Sequence, residues 1–202
     1  MSSRPIWLNS GRPSDSNGSR PRGDQVRATP ETTVDRALLN KPSTIRACQP
    51  CTGCCDGWLQ IRVNGTAVFP GRPCPHSTGK GCNDYEHRPV DPCVHFTCGW
   101  RMEGSPLPDW MKPNNAKVIV LFDQMRWRGM PVDVAVPVGR RIPPRAINWL
   151  KDYAQTHQRA LLYSEQVVEN GRFTNQQAFS AFGPPEFQVE MAEKAARGER
   201  PW

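Results

Sequence analysis

All eight cysteines of this chain fall between Cys48 and Cys98, and that crowding constrains the fold more than any other feature. Thiols at such density need partners, either one another or a metal. Hydrophobic residues supply only 37% of the sequence, and 21 prolines with 16 glycines interrupt it, so a large continuous apolar core is not expected. Bonds from thiolate to metal, formed only in the folded state, would add their binding free energy to such a domain.

The first cluster reads Cys48-Gln-Pro-Cys51-Thr-Gly-Cys54-Cys55. Two-residue spacers on a turning backbone bring successive sulfurs to one centre, and Pro50 and Gly53 supply the turns. The second cluster, Cys74, Cys82, Cys93 and Cys98, is spread over loops rich in Pro, Gly, His and Asp and can close only after the chain folds back. Together they provide for two tetrahedral zinc sites of four cysteines each, or for one four-iron cluster with cysteines to spare. Three cysteines at two-residue intervals with a remote fourth is a common grip on a cubane, which favours iron-sulfur over zinc. Side chains of the neighbours Cys54 and Cys55 tend to diverge, so only one of them is expected at a given centre. A shell filled by thiolate leaves no open position for substrate, so a metal that only staples the fold is the plain alternative. His76 and His95 lie close to Cys74 and Cys93 and are weaker candidates, as ligands or as hydrogen-bond partners of thiolate.

Residues 1–44 are polar, rich in Ser, Arg, Pro and Gly, and read as a disordered tail with one small apolar cluster, Ile6-Trp7-Leu8. Residues 45–122 form the cysteine-rich metal-binding domain, in which Trp58 to Val63 and Thr66 to Phe69 flank a hairpin turn at Asn64-Gly65. Residues 123–202 read as a small α/β extension. Strands are expected at Lys117 to Phe122, at Val132 to Val138 with Pro137 demoting its end to an edge, and at Ala160 to Tyr163. A helix should begin at Pro143-Pro144 and bury Ala146, Ile147, Leu150, Tyr153 and Ala154, and a weaker one should span Phe187 to Arg197. The fold class is therefore a small α+β, partly irregular, metal-stabilised domain: cysteine-rich loops with a hairpin, then short strands and one or two helices.

The formal net charge of +7 favours an acidic protein partner, but the arginines are dispersed. No helix-turn-helix, RNA-recognition or basic-zipper pattern accompanies them, so nucleic acid is not expected. Met1 to Gly23 contains no apolar run of signal length, and no stretch reaches about 18 apolar residues. The expectation is a cytoplasmic protein without a membrane span, whose thiols are ligands or redox groups rather than disulfides.

The order Cys48-x2-Cys51-x2-Cys54-Cys55, Cys74, Gly81-Cys82-Asn83-Asp84-Tyr85-Glu86-His87-Arg88-Pro89 and Cys93-Val94-His95-Phe96-Thr97-Cys98 resembles the CxxCxxCC family of zinc- or iron-chelating domains. The resemblance runs through Trp100, Leu107-Pro108 and Met111-Lys112-Pro113 to the strand at Val118 to Leu121. It implies metal chelation without fixing the metal. A similar cysteine set accompanies an iron-sulfur cluster in flagellin lysine methylases, but this chain has no glycine-rich turn for a nucleoside cofactor, so methyl transfer is not carried over. The resemblance also places Tyr85 and Arg88 beside the remote ligands: Tyr85, with Phe96, as a cover against water, and Arg88 as a partner of Glu86 or Asp91 or a donor toward sulfur. Lys112 falls outside the ligand loops.

The sequence thus points to a metal-binding protein whose cysteines hold an iron-sulfur centre or zinc. The alternatives are a redox or modification enzyme using the cluster, and a zinc-stapled adaptor for nucleic acid or an acidic protein. No pair among Asp56, Asp84 and Glu86 can be assigned acid and base roles, so no catalytic residue is named.

Overall fold

Asn64 and Gly65 take positive φ of 48° and 78°, closing a two-residue hairpin between β1 (Ile61–Val63) and β2 (Thr66–Val68). The expected turn is therefore present, with shorter strands. The computed structural model describes residues 46–201; the segment 1–44, with Ile6-Trp7-Leu8, lies outside the described residues.

The same turn chemistry builds most of a second sheet. β3 (Val118–Trp127) returns through Arg128-Gly129 into β4 (Met130–Pro137), and β5 (Ala160–Glu169) returns through Asn170-Gly171 into β6 (Arg172–Phe182). The four strands lie in the order β3-β4-β5-β6, with antiparallel outer pairs and a parallel central pair, β4 with β5. A parallel pair needs a crossover, and a helix between Pro144 and Thr156 provides it. A single turn of helix, α1 (Pro113–Ala116), precedes the sheet, so this crossover helix is α2, and α3 (Pro185–Ala196) closes the chain. Both longer helices carry Pro at their first position, where the missing N–H costs no intrahelical bond.

Both faces of the sheet are covered, which explains why Val118 to Leu121 is apolar without alternation. Val118, Val120, Ala135 and Leu161 face Ala146, Leu150 and Ala154 of α2, together with Trp100, Leu107 and Met111. Ile119, Val134, Val136 and Leu162 face Phe187 and Met191 of α3, and on this side Cys54, Trp58, Leu59 and Phe96 of the cysteine-rich segment also pack. Pro137 ends β4 where β5 no longer pairs with it, so a central strand tolerates the missing donor. β3 runs across position 122, and the described residues make one compact unit, so the cysteine-rich segment and the layered part share a core. No helix among the described residues is long and apolar enough to cross a membrane.

One buried charge stabilises the middle of the sheet. Asp133, 2% exposed, accepts from Arg159 Nε and Nη2 at 2.6 Å each and from the backbone N–H of Asp123 at 3.0 Å, where β3 bulges. Removing one partner of a buried pair leaves the other uncompensated. Asp133→Ala should therefore cost about 3–5 kcal/mol of unfolding free energy. Asp123→Asn, which suits the same left-handed backbone (φ 53°) and removes only the charge of an exposed contact to Arg159, should cost about 1 kcal/mol or less. Urea denaturation of the two variants measures the contrast, and equal losses would contradict the assigned burial.

Candidate metal centre

The first cysteine loop is held from outside itself. Arg46 donates through Nη1 to the carbonyls of Trp100 at 2.9 Å and Leu107 at 2.8 Å, and its guanidinium lies 4.9 Å from the Trp100 ring centroid. Lys112 Nζ donates to Ala47 O at 3.1 Å and Gln49 O at 2.9 Å, with the same indole 5.0 Å away. Two cations thus clasp the chain on either side of Cys48 to Trp100. Lys112 is not remote from the ligand loops, as its sequence position had implied; it fastens the first of them.

Within that loop, Cys51 N–H donates to Cys48 O at 3.0 Å, and Thr52 Oγ1 donates to Asp56 Oδ2 at 2.7 Å. Gly57 has φ of +90°, and a Cβ built there would stand 2.3 Å from the carbonyl carbon of Phe69, so only glycine lets the loop lie against the hairpin. Cys74 N–H donates to Cys55 O at 2.8 Å, joining the second cluster to the first. Cys82 is bridged to Ser77, and Asn83 N–H donates to His76 O at 3.0 Å. An irregular helical turn, Val90–Val94, carries Cys93. After Cys98, Gly99 N–H donates to Val120 O at 2.6 Å, fixing the last cysteine beside β3.

All eight thiols are free, and seven of them (Cys48, Cys54, Cys55, Cys74, Cys82, Cys93 and Cys98) line one cavity of about 130 Å³. Cys51 alone is absent from its wall. Tyr85, Arg88 and Phe96 line it too. Arg88 lies 3.8 Å from the Tyr85 ring centroid and donates to Tyr85 O; it forms no ion pair with Glu86 or Asp91 among the described residues. His76, bonded to Asn83 Oδ1, and His87, bonded to Asp84 Oδ1, line the cavity, whereas His95 is exposed and does not.

Burial first, then neighbouring thiols, pushes Cys54 well above the ordinary thiol value and Cys55 up to about 12. Cys48, Cys93 and Cys98 are raised by burial as well. Positive groups oppose this: Arg101, Lys112 and Arg88 favour the Cys48 thiolate, and Arg88 favours that of Cys93. Backbone N–H groups of Arg101 and Trp100 donate to the Cys98 sulfur. Arg101 also lines the cavity, and its Nε is buried without a hydrogen-bond partner. Sequence spacing did not single out Arg46, bonded to Trp100 and Leu107, or Arg101, whose charge acts on Cys48, because each acts far along the chain.

The donor set suits a thiophilic cation: sulfur ligands, cationic side chains and N–H donors converge where thiolate charge would develop. As they stand, no three Cys, His, Asp or Glu side chains among the described residues are drawn together tightly enough to chelate an ion. Ligation would require the thiols to lose protons and close inward. No family model, curated protein or solved structure matches the chain.

The raised thiols make the metal-free protein alkali-sensitive. A group whose folded pKa exceeds its unfolded value adds stability fully present below the unfolded pKa, and loses it as pH rises toward the folded one. For Cys55 that window runs from 9.0 to about 12. The reduced, chelator-treated chain should therefore lose unfolding free energy above about pH 9. Cys55→Ser, which cannot ionise there, should lose less, and parallel pH profiles would remove Cys55 as the responsible group.

Proposed function

We propose that this chain is a metal-binding protein whose cysteines hold an iron-sulfur centre or zinc. The observation that carries this reading is the single cavity walled by seven free thiols, with Arg88 and Arg101 in the same wall. Disulfides, the other common use of clustered cysteines, are absent from all eight. The resemblance to the CxxCxxCC family supports the same chemistry, and a metal-stabilised domain follows from it, since the loops carrying the thiols have little apolar core of their own.

Each part of the chain has a task in this reading. Cys48, Cys51, Cys54, Cys55, Cys74, Cys82, Cys93 and Cys98 supply thiolates, releasing protons on ligation. Arg88 and Arg101 offset the negative charge that thiolates accumulate, and Trp100 and Arg101 N–H donors hold the Cys98 sulfur. Phe96, packed against the sheet, and Tyr85, under the Arg88 guanidinium, shield the sulfurs from water. Bound metal would supply thiolate bonds that staple loops together, and in an iron-sulfur form one-electron redox capacity. Holding a metal is favoured over catalysis because Asp56 and Asp84 are engaged inside the loops, by Thr52 and Ser77 and by His87.

Anaerobic purification with metal and sulfide analysis tests the reading. The expected result is tightly bound zinc or iron, and a chain that takes up neither under reducing conditions would refute it. Arg88→Ala should retain the fold but bind metal about 10–100-fold more weakly against a competing chelator, as loss of an outer hydrogen-bond partner typically does. Arg126→Ala, on the exposed β3–β4 turn, should bind as the parent does, and equal affinities of the two variants would confine the site to the cysteines.

A further inference from the structure

We infer that the eight thiols form two separate four-sulfur centres, Cys48, Cys51, Cys54 and Cys98 on the sheet side and Cys55, Cys74, Cys82 and Cys93 on the hairpin side. The inference rests on the metal-binding reading and deepens it, from a cysteine cluster to two closed centres with assigned ligands.

Packing separates the sets first. Cys54 and Cys98 lie against the sheet cluster that includes Ile119, Val134 and Val136. Cys55 and Cys93 lie against a different cluster, made by Val63 and Val68 of the hairpin with the buried Cys74. The adjacent residues Cys54 and Cys55 therefore belong to opposite sides of one peptide bond and cannot easily serve one ion.

Backbone bonds group the remaining members. The Cys51 N–H to Cys48 O bond keeps those two on one turn, which Lys112 ties to the 100–112 segment that begins just after Cys98. The Cys74 N–H to Cys55 O bond joins the hairpin-side pair. Cys82 reaches Cys74 through the Ser77 bridge and the Asn83 to His76 bond, which closes the loop between them.

Four thiolates complete a tetrahedral zinc shell or hold one cubane, so each set is sufficient by itself and leaves no vacant coordination position. Both centres are thus suited to stapling or electron transfer rather than to binding a substrate at the metal.

Metal and acid-labile sulfide are counted on the full chain purified without oxygen. The expectation is about two zinc, or about eight iron with as many sulfides, per chain. One centre per chain would overturn the two-centre assignment while leaving metal binding intact, and no metal at all would overturn both. Paired variants then test the membership. Cys51→Ser with Cys54→Ser, both from one set, should keep about half of the metal, whereas Cys54→Ser with Cys55→Ser, one from each, should keep almost none. Equal metal contents in the two double variants would overturn the partition. Far-ultraviolet circular dichroism on the same samples, showing the sheet retained, separates loss of ligands from loss of the fold.

Discussion

Ionisable thiols pressed against an apolar surface are the constraint around which the rest is arranged. Burial raises Cys48, Cys54, Cys55, Cys93 and Cys98, and thiol neighbours add to that in each. A chain can hold such groups together only if something else fixes their loops, because thiols that repel on ionising cannot be the glue. Here the fixing is done by the two-faced sheet beneath Cys54 and Cys98, by the β1–β2 hairpin beneath Cys74, and by main-chain bonds between the loops.

The layered half therefore works as a platform. Its first strand offers Ile119 to Gly53, where an added Cβ would stand 3.3 Å from the Ile119 methyl, and offers Val120 O to Gly99. On the opposite face α2 packs over Val118 and Val120 and beside Trp100, the indole that Arg46 and Lys112 bracket. A disturbance of α2 packing would reach the first cysteine loop through that indole, and one of β3 would reach Cys98 directly. Binding energy gained at the thiols would stabilise the same sheet, since the two parts share their core.

Much of this was legible in the sequence, and the misses have physical causes. Asn64-Gly65 gave its hairpin because the dipeptide demands positive φ at both positions. Asn170-Gly171 carries the same signal, yet β6 was not expected, because Thr174 to Gln177 is an unbroken polar run and an edge strand need not alternate. β3 and β5 proved longer than their apolar runs: β3 crosses exposed Asp123 and Gln124 and returns to the core at Trp127, which donates to Glu190 at 2.7 Å, and β5 continues to Glu169 by pairing with β6. Helix α2 was readable from its prolines and its apolar face, of which Ala146, Leu150 and Ala154 are buried and Ile147 and Tyr153 partly so. The cysteines stood out by spacing, and Tyr85 and Arg88 by resemblance, but which thiols pack on the sheet and which on the hairpin did not. Sequence separation records which thiols are near along the chain, whereas Cys54 and Cys98 meet through packing against β3. Lys112 escaped notice similarly, since its bonds to Ala47 and Gln49 span more than sixty residues.

The Cys54-Cys55 pair shows how one local choice organises the whole site. On a continuous turn, consecutive side chains project in different directions, so the peptide between them must divide what lies on either side. Asp56 then anchors that peptide twice, by accepting from Thr52 within the loop and from Ser77 across it, at 3.2 Å. Gly57, pressed against the Phe69 backbone, permits the chain to leave toward the hairpin instead of continuing over the sheet. The three positions act in sequence: divergence at Cys54-Cys55, fixation at Asp56, departure at Gly57. A side chain at Gly57 would push the hairpin away and carry Cys74 with it, while Cys54 stayed on the sheet. The geometry of the thiol cavity therefore depends on a residue that contributes no ligand.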